Sequence, residues 1–233
     1  MKSIYTQIEN IDTDQIIPAR FLKKTSREGF GKAMFYDWRF NSDESVKQDS
    51  IFAKHEDSAQ KPQILVAGAN FGCGSSREHA AWALADYGFK AIVSSFFADI
   101  FRNNALNNML LPVQVSPAFL EKIFTALKED ENAEIDIDLQ NKKITIAKSG
   151  EFEHFPIGEY KQHCILNNQR DIDFLVSTKN KIEFFDIGSF KMTIELSDSK
   201  ENIYHDIYFN NLSCFRENIF IGSARLIKSK SKI

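Results

Sequence analysis

Ile64-Leu65-Val66-Ala67-Gly68-Ala69-Asn70-Phe71-Gly72-Cys73-Gly74-Ser75-Ser76-Arg77-Glu78-His79 is the stretch whose reading decides the fold. A short apolar run enters a glycine-rich bend, and an alanine-rich segment leaves it. The run reads as a buried strand. The alanine-rich segment reads as a helix that opens at Ser75 or Ser76 and continues through Tyr87. Ser75 and Glu78 stand at capping-box spacing, and Gly88 offers the left-handed residue that ends a helix. Ala91-Ile92-Val93 is the next strand. A strand–helix–strand unit implies parallel pairing, which places the chain in the α/β class.

The same reading extends downstream. Residues 97–107 read as a second helix, and residues 110–115 as a strand whose pairing is doubtful at Pro112. Ser116-Pro117 is a helix start, a capping hydroxyl followed by proline at the first helical position, and that helix runs to about residue 128. Residues 134–139 alternate strictly, turn at Gln140-Asn141 and return over 143–146, which predicts an added hairpin. A short helix is predicted over 158–166 and a last strand over 179–185.

Upstream, residues 4–8 read as the first strand, and Ile16-Ile17 before Pro18 as extended chain. Residues 22–32 form a basic, glycine-containing loop, and residues 41–61 a polar one with one short turn at most. After Asp186 the character changes. Residues 190–196 and 203–209 are strand-like, and the end is basic with Arg225, Lys228, Lys230 and Lys232. This predicts one domain over residues 1–186 and a C-terminal extension over 187–233.

Composition bounds the function. The 233 residues carry a net charge of −3, and 43% are hydrophobic. That balance fits a globular domain and gives no reason to expect nucleic acid or a membrane surface as partner. The first twenty residues lack the apolar core of a targeting segment. Cys73, Cys164 and Cys214 form no compact ligand motif, so no metal site is expected, and three unpaired thiols suit the reducing cytoplasm.

The chemistry is expected in the bend. Ligands of open α/β sheets bind beyond the carboxyl ends of the strands. Backbone N–H groups at a helix N-terminus favour an anion. Gly72 and Gly74 let the backbone turn and approach a ligand. Arg77 in the first turn opposes the helix dipole, which points to an anionic partner gripped through paired hydrogen bonds. The reading is a carboxylate or phosphate site with the hydroxyls of Ser75 and Ser76 beside it. A plainer reading stays open: a tight turn, a capping serine, and Arg77 paired to Glu78 or Asp86. The spacing matches neither GxGxxG nor a GxSxG nucleophile elbow. His79 is one turn beyond Ser75, either near the site or packed on its helix. Cys73, near a helix N-terminus, is in a setting that lowers a thiol pKa, with a passive small side chain as the alternative.

Several motifs in order carry a resemblance. Asn10-Ile11-Asp12-Thr13-Asp14-Gln15-Ile16-Ile17-Pro18-Ala19-Arg20 and the Asn70–Ala80 stretch resemble the 3-isopropylmalate dehydratase small subunits of the aconitase superfamily. Gly29-Phe30-Gly31, Asp37-Trp38-Arg39-Phe40, Asp86-Tyr87-Gly88-Phe89-Lys90, Ser95-Phe96-Phe97-Ala98-Asp99-Ile100-Phe101, and His163-Cys164 with Asn167 agree in order and spacing. The resemblance covers residues 1–186, most of the chain, and has no counterpart for the tail.

The resemblance implies a swivelling β/β/α domain. It implies an enzyme that interconverts 2-isopropylmalate and 3-isopropylmalate through 2-isopropylmaleate, in leucine biosynthesis. It implies no cofactor in this chain and a [4Fe-4S] cluster in a separate large subunit, with a small diacid as substrate. By position, Ser75 matches the base that takes a proton from carbon, Ser76 and Gly74 its neighbours at the substrate, and Arg77 the holder of a substrate carboxylate. Arg27, in the basic loop, is expected as a second carboxylate contact. Asp12, Asp14 and His79 are expected to orient the site rather than act as acid or base. The other readings are a related hydro-lyase, acting on homoaconitate or 2-methylmalate, and a non-catalytic anion-binding module.

Overall fold

Why residues 64–67 show no polar–apolar alternation becomes clear in the sheet they build. The computed structural model describes residues 2–23, 29–56, 58, 61–177, 190–198, 201–209 and 225–227. By contacts the chain falls into two compact units, Met1–Ile172 and Asp173–Ile233.

In the first unit, β1 (Ser3–Tyr5), β2 (Ile64–Val66), β3 (Ala91–Ser94) and β4 (Leu111–Gln114) form one parallel sheet in the order β1-β2-β3-β4. Both faces are covered. Leu65 and Ile92 point into one core with Ala80, Ala83 and Leu84 of α3 (Glu78–Tyr87) and with Phe101 and Ala105 of α4 (Asp99–Asn107). Their neighbours Ile64, Val66, Ala91 and Val93 point into the other, with Phe119, Leu120, Ile123 and Phe124 of α5 (Pro117–Glu129). A sheet buried on both sides needs apolar residues at every position.

An antiparallel sheet of β5 (Ile135–Asp138), β6 (Lys143–Ile146) and β7 (Phe152–His154) closes the second face through Ile135, Ile144 and Ile146. The parallel strand–helix–strand core and the added hairpin are thus both present. Pro112 lies opposite Ile92 on the outermost strand, where a missing N–H costs little. The Ser116 hydroxyl accepts from Phe119 N–H at 3.2 Å, so the predicted cap of α5 forms. The short helix α6 (Glu159–Leu166) starts after Gly158, as its pattern predicts.

Other expectations are corrected. The first strand is shorter than residues 4–8, because the chain leaves the sheet after Thr6 N–H bonds Val66 C=O at 2.9 Å. Ile16 is helical rather than extended. Asp12 caps α1 (Thr13–Ile16) by accepting from Gln15 N–H at 2.8 Å, while the Gln15 side chain accepts from Asp12 N–H at 2.9 Å. Only Ile17, directly before Pro18, is extended, with φ −142° and ψ 102°. The Ser75–Glu78 capping box does not form. Helix α3 begins at Glu78 with Arg77 at its N-cap position and no side-chain cap.

The 31–34 turn is anchored by a buried ion pair that composition does not reveal. Arg39 ends α2 (Tyr36–Arg39), and its Nε and Nη2 donate to the Glu56 carboxylate at 2.6 and 2.7 Å. The two side chains are 5% and 9% exposed. Arg39 Nη1 also donates to the carbonyls of Gly31, Lys32 and Met34. Gly31 N–H in turn donates to Asp86 on α3 at 2.7 Å.

Helix α7 (Asp171–Ser177), which the sequence reading leaves unassigned, precedes the remaining strands. In the second unit β8 (Phe190–Asp198) pairs antiparallel with β9 (Glu201–Phe209), and β10 (Arg225–Ile227) flanks β8. The two strand-like stretches of the tail are therefore one hairpin. The strand predicted over 179–185 lies outside the described residues.

Three substitutions test this account. Gly72 has φ +77°, and a Cβ there would stand 2.2 Å from the Phe101 ring, whereas Gly150, at φ +72°, has open space. Gly72→Ala is expected to destabilise by about 3 kcal/mol and Gly150→Ala by about 1 kcal/mol, read from urea unfolding. Arg39→Met leaves Glu56 buried without its partner and is expected to cost about 3–5 kcal/mol in the same assay. A loss below about 1 kcal/mol would mean Glu56 reaches water instead.

Candidate active site

Three chain segments meet at the carboxyl edge of the parallel sheet. Residues 8–13 follow β1, 67–77 follow β2 and 94–101 follow β3. Backbone bonds lace them side by side. Gly68 N–H donates to Ile8 C=O at 3.1 Å, Asn10 N–H to Ala69 C=O at 2.8 Å, and Gly72 N–H to Ile11 C=O at 2.7 Å. On the other flank Phe71 N–H donates to Phe96 C=O and Ala98 N–H to Phe71 C=O, each at 3.1 Å. The Ser94 hydroxyl, fully buried, donates to Gly68 C=O at 2.7 Å. The glycine-rich bend is thus the middle rib of a rigid edge.

Residues 74–77 rise from that edge. Thr13 N–H donates to Cys73 C=O and the Thr13 hydroxyl to Ser75 C=O, both at 2.9 Å. Those bonds hold Ser75 outside the helix, which is the reason the capping box fails. Gly74, at φ +88°, sits 3.4 Å from Asp12 Cβ by its would-be Cβ. The result is a cleft of about 270 Å³ lined by Thr13, Gly74, Ser75, Ser76 and Arg77 on one side. Ala98, Asp99, Ile100 and Phe101 line the other. Ser75 and Ser76 are exposed. Their hydroxyls have no hydrogen-bond partner among the described residues. The structure therefore brings Gly74, Ser75, Ser76 and Arg77 together, at the start of a ten-residue helix whose N-terminal dipole favours negative charge.

Electrostatics around the cleft follow from α1. Asp12 is occupied as its cap. Asp14, in its first turn, forms an ion pair with the Arg77 guanidinium, and the side chains are 53% and 17% exposed. The partner of Arg77 is thus neither Glu78 nor Asp86. Glu78 accepts instead from Trp82 Nε1 at 3.1 Å and Asn108 Nδ2 at 3.0 Å, and Asp86 from Gly31 N–H. A carboxylate already sits on the guanidinium, which shows what that surface can hold.

Partial burial, with the Asp12 charge next to it, pushes the Cys73 thiol up, not down. The helix N-terminus does not overcome that, because Cys73 lies ahead of the helix by several residues. His79 packs against Phe30 and Trp82, with ring centroids 5.3 and 4.6 Å away. It supports the 29–31 turn rather than entering the cleft lining. Arg27 lies outside the described residues. Thr13 is the residue that sequence reasoning missed. Its signal was there, a hydroxyl directly after the capping Asp12, but the contact to Ser75 spans 62 positions.

A [4Fe-4S] cluster requires converging thiolates. Among the described residues, no three His, Cys, Asp or Glu side chains converge. Cys73 is in the bend and Cys164 is buried in α6, so these residues do not fit such a group on their own. Among the described residues, no helix is long and apolar enough to cross a membrane.

Comparison with known proteins gives a consistent result. The Aconitase C-terminal domain family matches residues 2–118, which span the sheet and the cleft. A 3-isopropylmalate dehydratase small subunit from Cytophaga hutchinsonii is 56% identical over 179 residues, covering 77% of this chain and 88% of that protein. Its namesake from Christiangramia forsetii is 57% identical over 178 residues, 76% of this chain and 85% of that one. A crystal structure of 3-isopropylmalate dehydratase from Methanocaldococcus jannaschii superposes with a TM-score of 0.55 at 27% identity. It covers 80% of this chain and 97% of that one.

The raised Cys73 pKa has a sign that can be checked. At any pH below the folded value less thiolate is present than in the unfolded chain, and the thiolate is the nucleophile. Iodoacetamide at pH 8 is expected to label Cys73 several-fold more slowly in the native protein than in urea, by peptide mapping. Faster native labelling would show that the helix N-terminus governs the thiol after all.

Proposed function

The chain belongs to the family of 3-isopropylmalate dehydratase small subunits, and on that premise we propose that it supplies half of a two-chain hydro-lyase active site. The reaction interconverts 2-isopropylmalate and 3-isopropylmalate through 2-isopropylmaleate, in leucine biosynthesis. Residues 1–186 make the swivel domain, and 187–233 are an addition to it. The partner is a large subunit carrying the [4Fe-4S] cluster, which supplies the Lewis acid that polarises the departing hydroxyl. The cytoplasm, which keeps thiols such as Cys73 and Cys164 reduced, is the proposed compartment.

The observation that carries the reading is the placement in one cleft of the Ser75 hydroxyl, which has no hydrogen-bond partner among the described residues, and the Arg77 guanidinium, which already holds a carboxylate. Ser75 takes the proton from the carbon beside the one that bears the hydroxyl. The C–H pair becomes the new double bond as hydroxide leaves, so proton and hydroxide together account for the water lost. Re-addition with the two carbons exchanged gives the isomer, and Ser75 returns the proton. A serine is a weak base until its oxyanion is stabilised. Here the α3 N-terminus and the Arg77 charge lie on the same wall as Ser75, and one such donor is worth about 3 kcal/mol.

Arg77 holds one substrate carboxylate through paired N–H bonds, displacing or sharing Asp14. The backbone at Gly74 and Ser76 offers the N–H groups next to it. Arg27 is the proposed second carboxylate contact. Asp12, Asp14 and His79 set the positions of these groups.

Coexpression with the large subunit and assay on 2-isopropylmalate, citrate and homocitrate tests the function. Turnover is expected on 2-isopropylmalate and none with this chain alone. Ser75→Ala is expected to abolish turnover while the two chains still assemble. Activity within tenfold of wild type, about 1.4 kcal/mol of barrier, would remove Ser75 from the role of base.

A further inference from the structure

A cleft that is only half an active site must be closed by the other half, and the residues bordering it show where. Bulky apolar side chains are exposed on each of the segments that flank the bend. Ile8, after β1, is 50% exposed; Phe96, after β3, is 52% exposed; Ile100, in the first turn of α4, is 53% exposed. Backbone bonds fix them to one edge. Ile8 C=O accepts from Gly68 N–H, Phe96 C=O accepts from Phe71 N–H, and Ile100 lines the cleft itself. The exposed carboxylates of Glu9 and Asp99 stand next to Ile8 and Ile100 in the chain.

We infer that Ile8, Phe96 and Ile100 form an apolar rim on which the large subunit docks, and that the facing surface is an apolar patch bordered by Lys or Arg. The inference rests on the proposed function, since that reading requires the partner to reach Ser75. Two features single out this occupant. The rim reaches the cleft at Ile100, and under the proposed function the partner must cover this edge for any reaction to occur. Glu9 and Asp99 add negative charge beside the apolar residues, which selects a basic border and steers association. Apolar side chains half exposed on rigid segments are organised before binding, and little conformational freedom is lost when they are covered.

The test titrates this chain into the large subunit and follows association by sedimentation and, separately, restored turnover. Phe96→Ser and Ile8→Ser are expected to raise the half-saturating concentration at least tenfold. At saturation their turnover should return to within twofold of wild type. Phe152→Ser is the control, because Phe152 is 54% exposed but lies on β7. It should shift half-saturation less than twofold. Unfolding midpoints of the isolated chains show whether each variant folds, and Ile8→Ser is read if Phe96→Ser does not. Half-saturation within twofold of wild type for the folded rim variants overturns the docking rim. So does loss of self-association in Phe96→Ser with large-subunit binding unchanged, which would assign the rim to a second copy of this chain. Wild-type binding without turnover is a different failure: it removes the dehydratase reading and leaves the rim to be judged by sedimentation.

Discussion

Two hydrogen bonds from one threonine hold the chemistry in place. Thr13 is 2% exposed, and it ties α1 to the bend through Cys73 C=O and Ser75 C=O. Without them, nothing would stop Ser75 from doing what its spacing to Glu78 favours, which is to cap α3 and turn its hydroxyl inward to a backbone N–H. A capped serine is a satisfied serine. The bonds from Thr13 keep Ser75 two residues ahead of the N-cap position, where the dipole still acts on it but its hydroxyl has no partner among the described residues. Gly72 and Phe101 complete the constraint, because the bend lies so close on the ring that no side chain fits at position 72.

What was legible in the sequence was whatever a single segment decides for itself. The uninterrupted apolar run at 64–67 declared a strand covered on both faces. The alternation at 134–139 declared one covered on a single face, and Ser116-Pro117 declared a helix start. The bend itself was legible as a strand-to-helix junction that gathers glycines, hydroxyls and an arginine on one edge. What failed was local chemistry overruled from a distance. The Ser75–Glu78 spacing promised a cap, and Thr13 prevented it. Ile16-Ile17 before Pro18 read as extended chain, yet the reciprocal bonds of Asp12 and Gln15 wind Thr13–Ile16 into α1. A short helix carried by its cap leaves no periodicity to read.

Arg39 illustrates a second kind of concealment. In the sequence it sits among aromatic residues and looks like a surface cation. In the fold it is buried, paired with Glu56, and bonded to the carbonyls of the 31–34 turn. A hydrophobic contact there could fill the space but could not satisfy those carbonyls, whose unpaired burial is expensive. The ion pair is better understood as a way to fix the 31–34 turn than as a source of stability, since buried pairs often gain little over apolar replacements. Gly31 passes that rigidity to α3 through Asp86.

The Arg77–Asp14 pair decides how the cleft treats an anion. A bare guanidinium at a helix N-terminus would be held against the dipole, and it would attract any small anion in solution. With Asp14 beside it, the local charge is balanced, and the dipole field falls on the cleft rather than on a neighbouring cation. A single carboxylate gains little by replacing another carboxylate. Under the proposed function a diacid gains more, because Arg27 is the proposed contact for its second carboxylate, so the exchange rewards two-point binding over one. Discrimination then comes from the competitor already built into the protein rather than from the strength of any one contact.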